Sequence, residues 1–162
     1  MKHEPIFRGV ATALITPTDE NGIDFAAFKK LINWQIDEGI NALVICGTTG
    51  EGSTLSDQEH RDALQCAVET AAGRVPIIAG TGSNDTSYAI ELTKFACSIG
   101  CDGMLCVTPY YNKATQKGLV AMYSAIGDAS TKPIILYNVP SRTGVNIEHA
   151  TYVELAKHPR IA

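Results

Sequence analysis

Residues 42–59 read ALVICGTTGEGSTLSDQE. Ala42 to Cys46 form a short, continuously apolar run, the signature of a buried strand. The run Gly47-Thr48-Thr49-Gly50-Glu51-Gly52 then breaks the pattern with closely spaced glycines. Ser56-Asp57-Gln58-Glu59 follows as a capping box, in which the serine hydroxyl and the glutamate carboxylate reciprocally satisfy free amides at a helix start. The helix predicted from it covers 57–72. Strand, polar turn and helix in that order make one βα unit.

The same unit recurs in both directions along the chain. Residues 10–16 (VATALIT) read as a strand, followed by Phe25, Phe28, Ile32 and Ile36 at helical spacing. Residues 76–80 (PIIAG) precede a helix face of Ala89, Leu92, Phe95, Ala96 and Ile99. Residues 103–108 (GMLCVT) precede Leu119, Tyr123 and Ile126, and 133–137 (PIILY) precede a helix predicted over 147–157. Strand starts lie about 30 residues apart, the length of a βα unit. Gly39, Gly73 and Gly100 follow helices where a left-handed residue is needed. The strands are apolar throughout rather than alternating, so both of their faces are covered, as in a parallel sheet with crossover helices. No linker, charge block or low-complexity run divides residues 1–162, which read as one domain. Five units fit two architectures. One is a flavodoxin-like doubly wound sheet complete at this length; the other is the first five-eighths of a (β/α)8 barrel, which takes about 250 residues. Length alone favours the doubly wound sheet, and periodicity does not choose.

The 162 residues are 45% hydrophobic and 19% charged, which excludes a disordered chain. A net charge of −4 offers no basic patch to nucleic acid or to an anionic membrane. No apolar run approaches the roughly 20 residues of a spanning helix, and MKHEPIFRGV does not read as a signal peptide. The expected location is the cytoplasm. The five cysteines are odd in number, which points to free thiols in a reducing compartment. Cys97, Cys101 and Cys106 lack a CxxC pair and read as small buried residues rather than metal ligands.

In both architectures ligands bind at the carboxyl ends of the strands, and the unusual residues collect there. Strand ends run into Thr16-Pro17, the 47–52 loop, Gly80-Thr81-Gly82, Thr108-Pro109-Tyr110-Tyr111-Asn112 and Tyr137-Asn138-Val139-Pro140-Ser141-Arg142-Thr143-Gly144. The glycine loop exposes backbone amides to an anion, but it completes neither GxxxxGK[ST] nor GxGxxG, so a small carboxylate suits it better than a nucleotide. Hydroxyls gathered on one rim suggest proton relay. A phenol of pKa near 10 needs coupling to other hydroxyls to move protons at neutral pH. Tyr110 and Tyr111 also suit an interface. Arg142 is a carboxylate clamp if it points into the rim and a solvated residue if it does not. His60, on the second helix, is expected to face solvent or cap a contact.

The run 42–59, together with IAGTGSN (78–84), VTPYYN (107–112) and YNVPSRTG (137–144), resembles the dihydrodipicolinate synthase and N-acetylneuraminate lyase family, with four motifs in the family's order. The resemblance implies a (β/α)8 TIM barrel of the pyruvate-aldolase type, of which about the first five βα units are present, and so replaces the length-based preference. Arg142 with Thr48, Tyr111 and Tyr137 resembles the members that condense pyruvate with L-aspartate 4-semialdehyde. On that pattern Tyr137 is the acid/base over a pyruvate imine, Thr48 links the phenols, and Tyr111 is contributed across a subunit interface with Tyr110 packed beside it. Thr49 and its amide hold the pyruvate carboxylate, and Arg142 holds the semialdehyde carboxylate. The implied assembly is a homotetramer, a dimer of dimers. No metal or organic cofactor is implied, because the electron sink is a protonated imine on an enzyme lysine.

That lysine belongs to a sixth-strand motif whose register falls three residues beyond Ala162. Of the eight lysines only Lys113 follows a strand's carboxyl end. The chain is therefore expected to be the N-terminal part of a barrel, with two open sheet edges. Resemblance also implies a lysine-feedback site matched by His60, Asn84 and Tyr110, but Tyr88 stands where a glutamate would pair the effector's amine.

Overall fold

The computed structural model describes residues 5–162. Lys2 and the first residues of the N-terminal segment lie outside the described residues. Strands β1 (Ala11–Ala13), β4 (Ala42–Ile45), β5 (Ile77–Gly80), β6 (Gly103–Val107) and β7 (Ile134–Tyr137) form one parallel sheet in that order. A two-stranded antiparallel hairpin, β2 (Thr18–Asp19) and β3 (Gly22–Ile23), precedes helix α1 (Phe25–Asp37). Helices α2 (Asp57–Ala71), α3 (Thr86–Ser98) and α4 (Gln116–Ala129) then connect successive strands, and α5 (Pro140–Thr143) and α6 (His149–Leu155) follow β7.

The strand order never reverses. A doubly wound sheet reverses at a switch point and carries helices on both faces. Here each new strand is added on the same side, and α1 packs on α2, α2 on α3, α3 on α4 and α4 on α6. Right-handed crossovers in one direction put every helix on one face and curl the sheet, which is the wall of a (β/α)8 barrel. The chain thus supplies about the first five units of that fold. Beyond β7, the backbone of Ile134 receives from Ala162 N–H and donates to Arg160 C=O, and Ile161 forms a parallel bridge to Ile134.

Burial follows the two periodicities. Phe28 and Ile32 of α1, Ala63, Leu64 and Ala67 of α2, Leu92 and Ala96 of α3, and Leu119, Tyr123 and Ile126 of α4 meet Leu43, Ile45, Met104 and Ile134 of the sheet in one core. The capping box at Ser56 is formed in full: Ser56 N–H reaches Glu59 Oε2 at 2.9 Å and Glu59 N–H reaches Ser56 Oγ at 3.3 Å. Asp24, Asp85 and Thr115 cap α1, α3 and α4 with a side-chain oxygen that accepts from backbone N–H in the first turn.

Element ends differ from the sequence expectation for local reasons. β1 covers 11–13 rather than 10–16 because it is an edge strand paired only to β4; Val10 and Ile15 are exposed. β5 and β7 begin after Pro76 and Pro133, which have no N–H to give a ladder. α6 starts at 149 rather than 147, since Ile147 N–H is drawn to Asn138 Oδ1. Of the two expectations for His60, exposure to solvent is corrected and the capping contact is met: it is 3% exposed, on the apolar stripe of α2, with its ring on the Gly80 carbonyl. Cys101 and Cys106 are buried as expected, whereas Cys97 is half-buried. Among the described residues no helix is long and apolar enough to cross a membrane, and no three His, Cys, Asp or Glu side chains gather as a metal site.

Candidate active site

A cavity of about 270 Å³ opens at the carboxyl ends of β4, β5, β6 and β7. Its position follows from strand periodicity. Leu105 and Val107, alternate residues of β6, turn to the cavity, while Met104 and Cys106 turn to the helices and are fully buried. Tyr137, the last residue of β7, faces the cavity in register with Val107.

The wall contributed by β4 is a strained turn. Cys46 has a φ of +56°, a left-handed conformation that a non-glycine residue adopts at some cost. It ends the strand one residue early and swings Gly47 and Thr48 into the cavity wall. Glu51 (φ +54°) makes a second left-handed turn, and the loop is closed by Gly52 N–H to Gly47 C=O at 3.3 Å and Glu51 N–H to Thr48 C=O at 3.2 Å. Thr16 Oγ1 donates to Gly50 C=O at 2.7 Å, tying the loop to the end of the first unit. Glycine is required where the loop meets β5. A Cβ at either Gly52 or Gly80 would stand 2.2 Å from the Cys46 carbonyl oxygen.

His60 supports this turn from beneath and lines the cavity. Its Nε2 lies 2.8 Å from the Gly80 carbonyl oxygen, which only accepts, so Nε2 carries the proton. Burial holds the imidazole below its ordinary pKa against the opposing pull of the Gly80 and Gly52 carbonyls. Cys46 lines the same wall, and burial pushes its thiol up to about 12, so it is no nucleophile at neutral pH. Tyr88 lies against Asp57 and Arg61, and burial followed by the Asp57 carboxylate pushes its hydroxyl up to about 12.

The far wall comes from β6 and β7. Thr108 N–H donates to Tyr137 C=O at 3.1 Å, so the two loops leave the sheet together. Tyr110 lines the cavity, whereas Tyr111 (φ +70°) is turned outward and is 92% exposed. Asn138 fixes the next loop by bonding Asn146 Oδ1 and Ile147 N–H, and α5 carries Arg142 to the cavity mouth.

The structure therefore brings Thr48, Tyr110, Tyr137 and Arg142 to one cavity. It places Thr49 and Tyr111 elsewhere. Thr49 is exposed and does not line the cavity, which corrects its expected place on the pyruvate carboxylate: the chain turns at Gly47 and Thr48 and carries Thr49 past the wall. Cys46, His60, Leu105 and Val107 were not foreseen as lining residues. The apolar stripe of α2 carried the signal for His60, and strand alternation carried it for the two β6 residues.

Consecutive βα units around one wall, with the polar residues collected at the strands' carboxyl ends, define a (β/α)8-barrel protein with its ligand site in the usual place for that fold. The chain belongs to the dihydrodipicolinate synthetase family, whose profile matches residues 6–162. It is 51% identical over 154 residues to 4-hydroxy-tetrahydrodipicolinate synthase of Thermoanaerobacter sp. (strain X514), covering 95% of this chain and 52% of that protein. The enzyme of that name from Exiguobacterium sp. is 57% identical over 157 residues, covering 96% of this chain and 54% of the relative. Among solved structures, chloride-inhibited dihydrodipicolinate synthase from Acinetobacter baumannii complexed with pyruvate superposes with a TM-score of 0.92 at 50% identity, covering 95% of this chain and 53% of that one. The enzyme from Cyanidioschyzon merolae with lysine bound gives a TM-score of 0.93 at 39% identity, covering 98% and 55%. The chain spans about half the length of the curated relatives it matches.

Proposed function

We propose that this chain forms the first part of a 4-hydroxy-tetrahydrodipicolinate synthase, which condenses pyruvate with L-aspartate 4-semialdehyde through an imine on an enzyme lysine. The observation that carries the reading is the convergence of Thr48, Tyr137 and Arg142 on one cavity of about 270 Å³, large enough for two small acids, in a chain of this family. Tyr137 serves as acid/base over the imine. Thr48 links its hydroxyl to that of Tyr111, which reaches in from a neighbouring subunit, with Tyr110 packed beside it. Arg142 binds the semialdehyde carboxylate at the mouth. The lysine lies in a sixth-strand segment past Ala162, and the parallel bridge at Ile161 supports that register. Neither metal nor organic cofactor takes part in this scheme, because the imine is the electron sink. The enzyme works as a homotetramer in the cytoplasm.

Steady-state kinetics on the whole enzyme that carries this chain test the reading, with each substrate varied in turn. A hydrogen bond to a charged group is worth about 1.5–3 kcal/mol, and each 1.4 kcal/mol is about tenfold. Arg142→Ala should raise KM for the semialdehyde by roughly 10- to 150-fold and leave KM for pyruvate nearly unchanged. Equal rises in both constants would make Arg142 a support for its loop. No change in either would return it to the solvated surface.

A further inference from the structure

The loop from β6 to α4 holds two left-handed non-glycine residues, Tyr111 (φ +70°) and Lys113 (φ +42°). A long side chain seldom takes that conformation, and such outliers collect at functional sites. The consequence here is directional. Lys113 is turned back toward β7, and its stem lies across Gly144, where a Cβ would stand 2.9 Å from Lys113 Cε and 3.4 Å from Nζ. Gly144 closes α5, the helix that carries Arg142 to the cavity. Two loops from adjacent strands therefore bring Lys113 against the end of the short helix that carries Arg142 to the mouth.

Neither cation is neutralised. Among the described residues the ion pairs are Arg61–Asp57, Lys157–Glu154 and His158–Asp128, none of which includes Lys113 or Arg142. The cavity lining contains no aspartate or glutamate, and its histidine is held neutral by burial. A mouth with two free cations and an interior without a carboxylate attracts anions.

We propose that Lys113 is a second substrate-gathering cation, acting beside Arg142 on the carboxylate of the incoming semialdehyde. This rests on the synthase reading above. Arg142 supplies the planar fork that fixes the carboxylate, and Lys113 supplies a mobile point charge that draws it in. A solvated charge a few ångströms from a carboxylate changes affinity by a small factor, about three- to tenfold, and salt screens it.

The test is kinetics on the whole enzyme at low and high ionic strength for wild type, Lys113→Met and Lys113→Arg. Methionine keeps the stem and removes the charge. Lys113→Met should raise KM for the semialdehyde about three- to tenfold, hold kcat within about twofold, and flatten the salt dependence of kcat/KM. Lys113→Arg should restore both. An unchanged KM with an unchanged salt dependence overturns the proposal. So does a fall in kcat with the salt dependence intact, which would make Lys113 a structural residue of its loop. A wild type without synthase activity fails the synthase reading instead. Lys113 is then decided by titrating wild type and Lys113→Met with succinate, a four-carbon dicarboxylate: weaker binding by the variant keeps the proposal, while equal or absent binding ends it.

Discussion

Replacing Gly80 by alanine tests the packing of the cavity wall. The added Cβ would lie 2.2 Å from the Cys46 carbonyl oxygen, 2.7 Å from its carbonyl carbon and 3.0 Å from Gly47 N. All three are backbone atoms, so no side chain can rotate away. To reach an acceptable contact, the ends of β4 and β5 must part by about 1 Å, and Leu43–Ile45 are already locked in register with Ile77–Ala79. Overpacking of this kind costs about 1–3 kcal/mol. Moving Gly80 also strips His60 Nε2 of its partner at 2.8 Å, and an unsatisfied buried donor costs about 1–3 kcal/mol more. Alanine's smaller unfolded-state entropy returns about 0.4–1 kcal/mol. The net loss is about 1–5.5 kcal/mol, a fall in Tm of roughly 2–20 °C for a domain of this size. Gly47→Ala is the control in the same loop. Its Cβ would meet Val44 Cγ1 at an ordinary 3.5 Å, so it should stay within about 1 kcal/mol. Urea unfolding followed by far-UV circular dichroism measures both. A Gly80→Ala loss below about 1 kcal/mol, or a Gly47→Ala loss as large as that of Gly80→Ala, would refute the steric account.

Three further outcomes are expected. Tyr137→Phe in the whole enzyme should lower kcat by about 10²- to 10⁴-fold with the fold intact, read by turnover and circular dichroism together; a kcat within threefold of wild type removes Tyr137 from the mechanism. The pKa of His60 is lower in the folded than in the unfolded chain, so its contribution is complete above about pH 6.5 and is lost as pH falls from there through the folded value; His60→Gln should flatten the fall in urea midpoint over that range. Cys97 should be the first cysteine alkylated by iodoacetamide in peptide mapping: burial alone would raise its thiol, but hydrogen bonds from Thr131 and Ser130 outweigh burial and lower it, whereas burial pushes Cys46 and Cys101 up to about 12 and Cys106 to about 11.

The strands were legible because each is a short apolar run bounded by proline or glycine, and the helices because their apolar residues recur at helical spacing. Ser56 with Glu59, and Gly39, Gly73 and Gly100 with φ of +85°, +73° and +94°, read correctly because capping and left-handed turns are local. Strand order is not local, and five βα units carry the same periodicity whether or not the sheet reverses. Only the order of four motifs across the chain pointed to the barrel. The hairpin at Thr18–Ile23 had its signal in Asn21-Gly22, which lay hidden between longer elements. At the site, the residue types at the strand ends marked the rim, but they did not separate those that face inward. Thr48 and Thr49 are neighbours of one type, and the left-handed turn at Cys46 decides which lines the wall. Nothing about a cysteine announces that turn. The burial of His60 follows from its place on the stripe with Ala63, Leu64 and Ala67, which its polarity masks in the sequence.

Gly47, Gly52, Gly80 and Gly82 all line the cavity, and side chains at Gly52, Gly80 and Gly82 would collide with backbone. Much of its floor is thus main chain, whose peptide groups are the same whatever the sequence. A mutation at Gly52, Gly80 or Gly82 cannot retouch the surface a ligand sees; it can only break the turn that makes it. Variation in what the pocket accepts falls instead to the side chains of the lining, among them Thr48, Leu105, Val107, Tyr110, Val139 and Arg142. An inhibitor that drew its affinity from the floor would leave resistance few routes, whereas one anchored on Arg142 could be escaped by a single codon.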